Sequence, residues 1–222
     1  MTDWEAIQAR HSVRAYEKRP IPQEIREQLD ACARRCGEEG ELSILIRYDD
    51  PDGFDSRLAH YGSFRNVSNY IVLAGKKQGN FDFRCGYYGE KMVLFAQKLG
   101  LNTCWAALSF NRRFVRELIP EGESLGLAIS LGFGQTQGKQ HRSKRFEQVA
   151  DVAGVPPEWF QKGVEAALLA PTAINQQKFC FSLENGEAQV RVKGIGSCTH
   201  IDLGIAALHF ELGSGRKVTA RE

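Results

Sequence analysis

The sequence predicts a mixed α and β fold. Stretches with apolar residues at helical spacing alternate along the chain with short β-branched runs, and Gly, Pro or Asn punctuates most junctions between them. The composition, 42% hydrophobic and 25% charged over 222 residues, is that of an ordinary globular chain with a substantial core.

Thr2 followed by Glu5 forms a capping box that opens a first helix, to about Gln8. Residues 10–16 alternate as an extended segment, and Pro20-Ile21-Pro22 blocks any helix running through. A second helix starts at Pro22, carries Ile25, Leu29, Cys32, Ala33 and Cys36 on one face, and is expected to end at Gly37. Residues 42–48 read as a buried strand followed by turn chemistry at 49–53. The segment 52–69 has no clear period, and 70–74 is a second apolar strand followed by a Gly- and Asn-rich loop. Residues 89–99 form a helix apolar nearly all round, closed by Gly100, of the kind found at the centre of a core.

An extended stretch at 102–108, a short helix at 112–118 and a buried strand at 125–133 come next, then a glycine-rich and basic loop at 134–145. Residues 157–170 form a helix stopped by Pro171. The strands 178–184 and 189–193 flank Asn185-Gly186 as a hairpin, and 199–212 is a last helix closed by Gly213.

An internal repeat is visible at low identity. A shift of 134 residues places Pro22, Glu24 and Ala33 on Pro156, Glu158 and Ala167 and the strand 42–48 over 176–182; a shift of 113 places Leu99-Gly100 on Leu212-Gly213. Helix–strand units of similar length produce such matches by chance, and a duplication produces them by descent. Under duplication the chain is one inseparable unit, half one spanning about 1–150 and half two about 151–222, packed as a pseudo-dimer with a cleft between the halves.

Charge and hydropathy narrow the function. There are 29 basic and 27 acidic residues, interleaved along the chain, so the basic stripe of a nucleic-acid-binding protein is missing. No apolar run approaches the roughly 20 residues of a membrane span, and the N-terminal residues lack the pattern of a signal peptide, so a cytoplasmic protein without membrane attachment is expected. The six cysteines (Cys32, Cys36, Cys85, Cys104, Cys180, Cys198) include no Cys-x-x-Cys pair and no His at metal-ligand spacing; reduced, mostly buried thiols and no metal site are expected.

Three stretches could carry chemistry. Arg10, Ser12 and Arg14 are two apart and would share a face of an extended chain, where guanidinium forks suit phosphate or carboxylate; the same string also occurs as solvated surface. Pro171-Thr172-Ala173-Ile174-Asn175-Gln176-Gln177 places polar groups between an apolar helix and an apolar strand, so they must bond to backbone, water or a ligand. His141-Arg142-Ser143-Lys144-Arg145 is either a third part of that site or a solvated charge run. His200 and His209 lie on an apolar helix and read as core or cap residues.

These motifs resemble the nitroreductase superfamily of FMN enzymes. Arg10-His11-Ser12-Val13-Arg14-Ala15-Tyr16 with Pro20-Ile21-Pro22-Gln23-Glu24 is similar to its N-terminal signature, and Ala170-Pro171-Thr172-Ala173-Ile174-Asn175-Gln176-Gln177 to its Ala-Pro-Ser-x-x-Asn-x-Gln-Pro loop. Ala96-Gln97-Lys98-Leu99-Gly100-Leu101-Asn102-Thr103-Cys104-Trp105 resembles the exit of its central helix, and Leu131-Gly132-Phe133-Gly134 with Arg142-Ser143-Lys144 its late strand and phosphate-contacting pair. In ordinary members the Pro-Ser loop follows the first helices; here Gly37-Glu38-Glu39-Gly40 stands there and the loop comes at Pro171. That layout resembles a subgroup with both halves fused in one chain.

The resemblance implies an α+β, nitroreductase-like fold with a central antiparallel or mixed sheet flanked by helices, in a monomeric pseudo-dimer or a homodimer. It implies one FMN site: Arg10 with Arg142 or Lys144 on the phosphate, Ser12 and Arg14 at the ribityl or pyrimidine end, His11 alongside, Ala107 and Leu108 near N5, and Pro171, Thr172 and Asn175 from the second half. Arg65 stands where another residue approaches the cofactor. The implied activity is ping-pong transfer from NAD(P)H through FMN to a small-molecule acceptor such as a nitroaromatic or quinone, with no protein acid or base required. Dehalogenation, flavin fragmentation or ene reduction on the same fold, and non-catalytic FMN binding, stand as alternatives.

Overall fold

The computed structural model describes residues 1–221. The capping box forms as expected: Glu5 N donates to Thr2 Oγ1 (3.2 Å), Thr2 N donates to Glu5 Oε2 (2.7 Å), and α1 runs Asp3–Ala9. Helix α2 (Gln23–Gly40) passes through Gly37, where the sequence placed its end. Its stop is Glu41, which takes the left-handed conformation (φ 50°) and returns its N–H to Glu38 O and Gly37 O. A Cβ on Gly37 would press on Leu42 O, so this glycine serves close packing and not termination.

A first four-stranded sheet follows, with β1 (Ser43–Arg47), β2 (Asn69–Gly75), β3 (Asn102–Ala106) and β4 (Ser124–Gly132) in the order β1-β2-β4-β3, antiparallel throughout. Strand β2 is buried along its whole length because both faces are covered. One face meets α2 and α4 (Phe81–Lys98) through Leu73, Met92, Val93 and Ile129. The other meets Tyr16, Phe54, Phe64 and Phe110, contributed by connecting segments that include α3 (Arg57–Tyr61) and α5 (Arg112–Arg116). Helix α4 begins eight residues before its expected start, because Phe81 and Cys85, four apart, face the first core while Phe83 on the other side packs against the second.

The second sheet contains β5 (Ala150–Asp151), β6 (Phe179–Glu184), β7 (Glu187–Val192) and β8 (Val218–Arg221), in chain order, with β5 and β8 parallel to their neighbours and β6 and β7 antiparallel. The hairpin between β6 and β7 turns on Asn185 (φ 51°) and Gly186 (φ 82°), as their type demands. Short α6 (Phe146–Val149), β5 and β8 carry too little pattern to be read from sequence. Helix α7 (Glu158–Ala167) and the last helix, α8 (Thr199–Ser214), pack on this sheet through Phe160, Phe181 and Phe210.

Element order recurs between the sheets. In the first, α2, β1, β2, α4 and β3 follow one another, β2 and β3 running parallel with β4 between them; in the second, α7, β6, β7, α8 and β8 do, with β7 and β8 paired directly. The pairing of Leu99-Gly100 with Leu212-Gly213 is two residues out, since α8 continues past Gly213 and is capped by Gly215 (φ 68°).

Helices α4 and α8 pack face to face. Gly86 and Gly204 let them: a Cβ on Gly86 would strike Ile201 O, and one on Gly204 would strike Phe83 O. All six cysteines are free, five of them buried. Among the described residues no helix is long and apolar enough to cross a membrane.

Candidate active site

The segment 10–16 leaves α1 and borrows backbone partners from three places. Ser12 bridges Thr103, Ala15 bridges Arg65 and Tyr16 bridges Gly134, while Val13 N donates to Thr103 O (3.0 Å). Tyr16 Oη closes the segment on itself by donating to Val13 O (2.7 Å). Because the partners change every few residues, a strict two-residue alternation is not kept. Arg10 is buried, Ser12 half-buried and Arg14 exposed, so the three do not form the single exposed strip that the spacing suggested. They converge instead on Cys104 of β3: burial pushes its thiol up, against the Arg14 charge, a Ser12 hydrogen bond and the Arg10 charge.

Arg10 lies at a buried polar node whose members come from the end of α1, α4, β3 and α8, far apart in the chain. Its Nε stands 3.8 Å from Oε1 of Glu90 on α4. The same Oε1 is 3.0 Å from Nε2 of His209 on α8, and Glu90 Oε2 accepts from Trp105 Nε1 on β3 (2.8 Å). His209 Nδ1 faces Ala166 O (3.2 Å). Glu90 and His209 are fully buried. Burial pulls the Arg10 guanidinium below its ordinary range, with Glu90 and then Cys104 opposing. Arg10 Nε and Nη1 are buried without a hydrogen-bond partner among the described residues, and donors in that condition are rare in folded proteins. The signal for Glu90 was present, a carboxylate inside a helix apolar nearly all round, which must find partners if buried.

The loop 141–145 is stitched onto 168–177. His141 Nε2 and Ser143 Oγ both meet Leu168 O (3.0 and 2.8 Å), and Arg142 O accepts from Asn175 Nδ2 and Gln177 Nε2, each at 2.9 Å. Lys144 N donates to Gln177 Oε1 (2.8 Å) and its ammonium to Gln176 O and Gln177 O, both at 2.9 Å. Lys144 therefore braces the loop, while the Arg142 guanidinium is exposed. A cleft of about 450 Å³ opens between Arg142, Lys144, Arg145, Gln148, Asn175 and Gln177. Burial lowers the pKa of His141, against the hydrogen bond to Leu168 O and with the Arg10, His11 and His209 charges adding to it. Burial and then Arg10 lower that of His11. The turn before His141 lies on the Arg10 segment, where a Cβ on Gly138 would meet His11 Cβ and Ser12 O.

The polar cluster at 172–177 is satisfied within the protein. Thr172 Oγ1 accepts from Gln177 N (3.0 Å). Asp202 accepts from Ala173 N (3.0 Å) and Gln176 Nε2 (2.7 Å), and the same Nε2 reaches Ser197 O (2.8 Å). These bonds hold Ile174, Asn175 and Gln177 at positive φ (49°, 56° and 44°); the β-branched Ile174 is almost fully exposed there, a strained arrangement of the kind found near functional sites. Pro171 is buried beneath the loop. Ala107 and Leu108 continue β3 past Trp105; Ala107 O accepts from Arg112 Nη1 (2.8 Å), and Leu108 is largely exposed. Arg65 contributes its backbone, its N donating to Arg14 O (2.9 Å) and its O accepting from Tyr16 N (3.1 Å).

A family model described as "Putative TM nitroreductase" matches residues 3–214. Among solved structures, the chain is similar to a putative nitroreductase from Thermotoga maritima at 24% identity, over 96% of this chain and 83% of that one, with a TM-score of 0.68. It is also similar to a putative nitroreductase in complex with FMN from Desulfovibrio desulfuricans (18% identity, 69% of this chain, 98% of that one, TM-score 0.54). A third likeness is to a putative NADH dehydrogenase/NAD(P)H nitroreductase from Bacteroides thetaiotaomicron (19%, 66% and 95%, 0.53). These likenesses establish the fold. The curated proteins contain no match.

Proposed function

The chain belongs to the nitroreductase family that this model describes, and from that premise we propose that it is an FMN-dependent oxidoreductase. On this reading it takes reducing equivalents from NADH or NADPH and delivers them to a small electron-poor acceptor, a nitroaromatic or a quinone. The observation that carries the reading is Arg10: a buried guanidinium with two unpartnered nitrogens, beside segments that add the exposed guanidiniums of Arg14 and Arg142. Unmet buried donors of fixed geometry call for an anion, and a flavin phosphate is one.

The residues present fit FMN. Arg10 and Arg142 would hold the phosphate. Ser12 and Arg14, with His11 alongside, would take the ribityl and pyrimidine end, where a cation favours the reduced, anionic ring. Pro171, Thr172 and Asn175 would form the wall from the second half, Ala107 and Leu108 the edge near the reacting face, and Lys144 would keep that wall closed. When bound, FMN supplies hydride acceptance from a nicotinamide and electron delivery to the acceptor; the protein binds, orients and tunes.

The duplication belongs to the same proposal. The recurring element order supports two fused halves, and so do relatives that match two thirds of this chain over nearly all of their own length. One chain then makes one complete site, functioning as a monomer or pairing again.

Purified protein should be yellow or take up FMN, NADH or NADPH should bleach the flavin anaerobically, and a nitroaromatic should restore the colour. A colourless protein that cannot be reconstituted overturns the assignment. Bound flavin that neither nucleotide reduces leaves a binding protein.

A further inference from the structure

Four elements meet at Glu90: the end of α1 through Arg10, α4 through Glu90 itself, β3 through Trp105 and α8 through His209. The distances are unequal in an informative way. Trp105 and His209 stand at hydrogen-bonding distance from the two carboxylate oxygens (2.8 and 3.0 Å), whereas Arg10 Nε stays at 3.8 Å with no hydrogen bond formed. A guanidinium next to a free carboxylate in a buried site closes to a direct, bidentate pair, because each unmet donor is costly. Here the closure has not happened.

The hydrogen bonding explains why. A carbonyl only accepts, so His209 Nδ1 donates to Ala166 O; its Nε2 then shares one proton with Glu90 Oε1. That contact ties Oε1 to α8, and the Trp105 indole ties Oε2 to β3. The carboxylate is held on both sides and cannot swing onto Arg10.

We propose that His209 is a positioning residue for Arg10: by holding Glu90 away from the guanidinium, it leaves the buried Arg10 Nε and Nη1 without a protein partner and so free to pair with an anionic ligand. His209 and Ala166 come from the second half of the chain and Arg10 from the first, so packing of the halves presets the anion site. The inference rests on the FMN reading for the identity of the anion only.

The test uses His209→Phe, which fills the same space without a ring nitrogen, His209→Gln, which returns a donor near the Nε2 position, and the double variant His209→Phe with Glu90→Gln. Crystal structures of the flavin-free variants report the Arg10–Glu90 separation, and FMN titration, with riboflavin as the phosphate-free control, reports affinity. In His209→Phe the separation should fall to hydrogen-bonding distance and FMN affinity drop about tenfold, with riboflavin affected much less. Gln at 209 should keep the wild-type separation and affinity. The double variant, without a carboxylate to close on Arg10, should regain FMN affinity to within about twofold of wild type. An unchanged separation in His209→Phe overturns the inference, as does an affinity loss in the double variant as large as in the single one. If the separation closes while wild type binds no FMN, the positioning role holds and the cofactor assignment fails. Should His209→Phe not fold, the Gln variant decides: a contracted Arg10–Glu90 pair there overturns the proposal.

Discussion

Lys144 and Gln177 are joined twice, by the backbone N–H of Lys144 to Gln177 Oε1 and by the lysine ammonium to the Gln177 carbonyl. Across this seam the loop after the first sheet is fastened to the loop before β6. Lys144→Met removes the ammonium but not the backbone bond. It is expected to weaken local closure by ~1–2 kcal/mol, seen as faster hydrogen exchange at Gln176 and Gln177 and faster flavin release, with exchange in β2 unchanged.

Arg14 tests the ribityl and pyrimidine end of the proposed flavin site without disturbing the core. It is exposed, so Arg14→Ala should leave the melting temperature within a degree or two while weakening FMN about ten- to a hundredfold, the worth of a charge-assisted contact. Equilibrium dialysis of both proteins at the same ionic strength measures this. Wild-type affinity in the variant would remove Arg14 from the site.

Asp202 makes the strained loop pH-sensitive. Burial pushes its carboxyl up to about 6, against the hydrogen bonds from Gln176 and Ala173. The native state therefore holds the proton more tightly than the unfolded chain, whose ordinary value is 3.8. The stability from this group is fully present below that value and is lost as pH rises through about 6. Relative to wild type, Asp202→Asn should gain stability as pH is raised through this window, by on the order of 2 kcal/mol. Thermal melts of both proteins at several pH values give the difference; a flat difference would disprove the shift.

Gly86 and Gly204 set how closely α4 and α8 approach. An added Cβ at either position meets a backbone carbonyl of the opposite helix, which cannot move aside as a flexible side chain would. Gly86→Ala and Gly204→Ala should each cost about 3 kcal/mol or more, read by urea unfolding. Ala at Gly122, a position in open space but at φ 80°, should cost less.

Much of this architecture is legible in the sequence where one local signal suffices. The capping box at Thr2 and Glu5, the apolar run of β2 and the Asn185-Gly186 turn need no distant partner to be recognised. Glycines are less readable. Gly37 and Gly213 looked like stops and are packing positions, where α2 passes Leu42 O and α8 crosses Lys162 O of α7. Helix ends were set by Glu41 and Gly215 instead. At the candidate site, the residue types at 10–14, 141–145 and 171–177 pointed to polar chemistry; the structure bonds the last two directly and sets the first against the turn at Gly138 that leads into the basic loop. What spacing could not show was orientation: Arg10 turns inward because Glu90 lies there, and Lys144 turns to carbonyls because Gln177 does. Both partners are distant in sequence, so no local pattern announces them.

The seam between 141–145 and 168–177 also has a kinetic meaning. The loop that carries it meets the segment near residue 10, where a Cβ on Gly138 would meet His11 Cβ and Ser12 O, across a sequence separation larger than those within either sheet. Contacts of that range are expected to close after the elements between them are packed, the first sheet and α4 among them. The pocket is thus expected to form late in folding. An anion added during refolding should raise the final yield of native chains while leaving the rate of the main phase where it was.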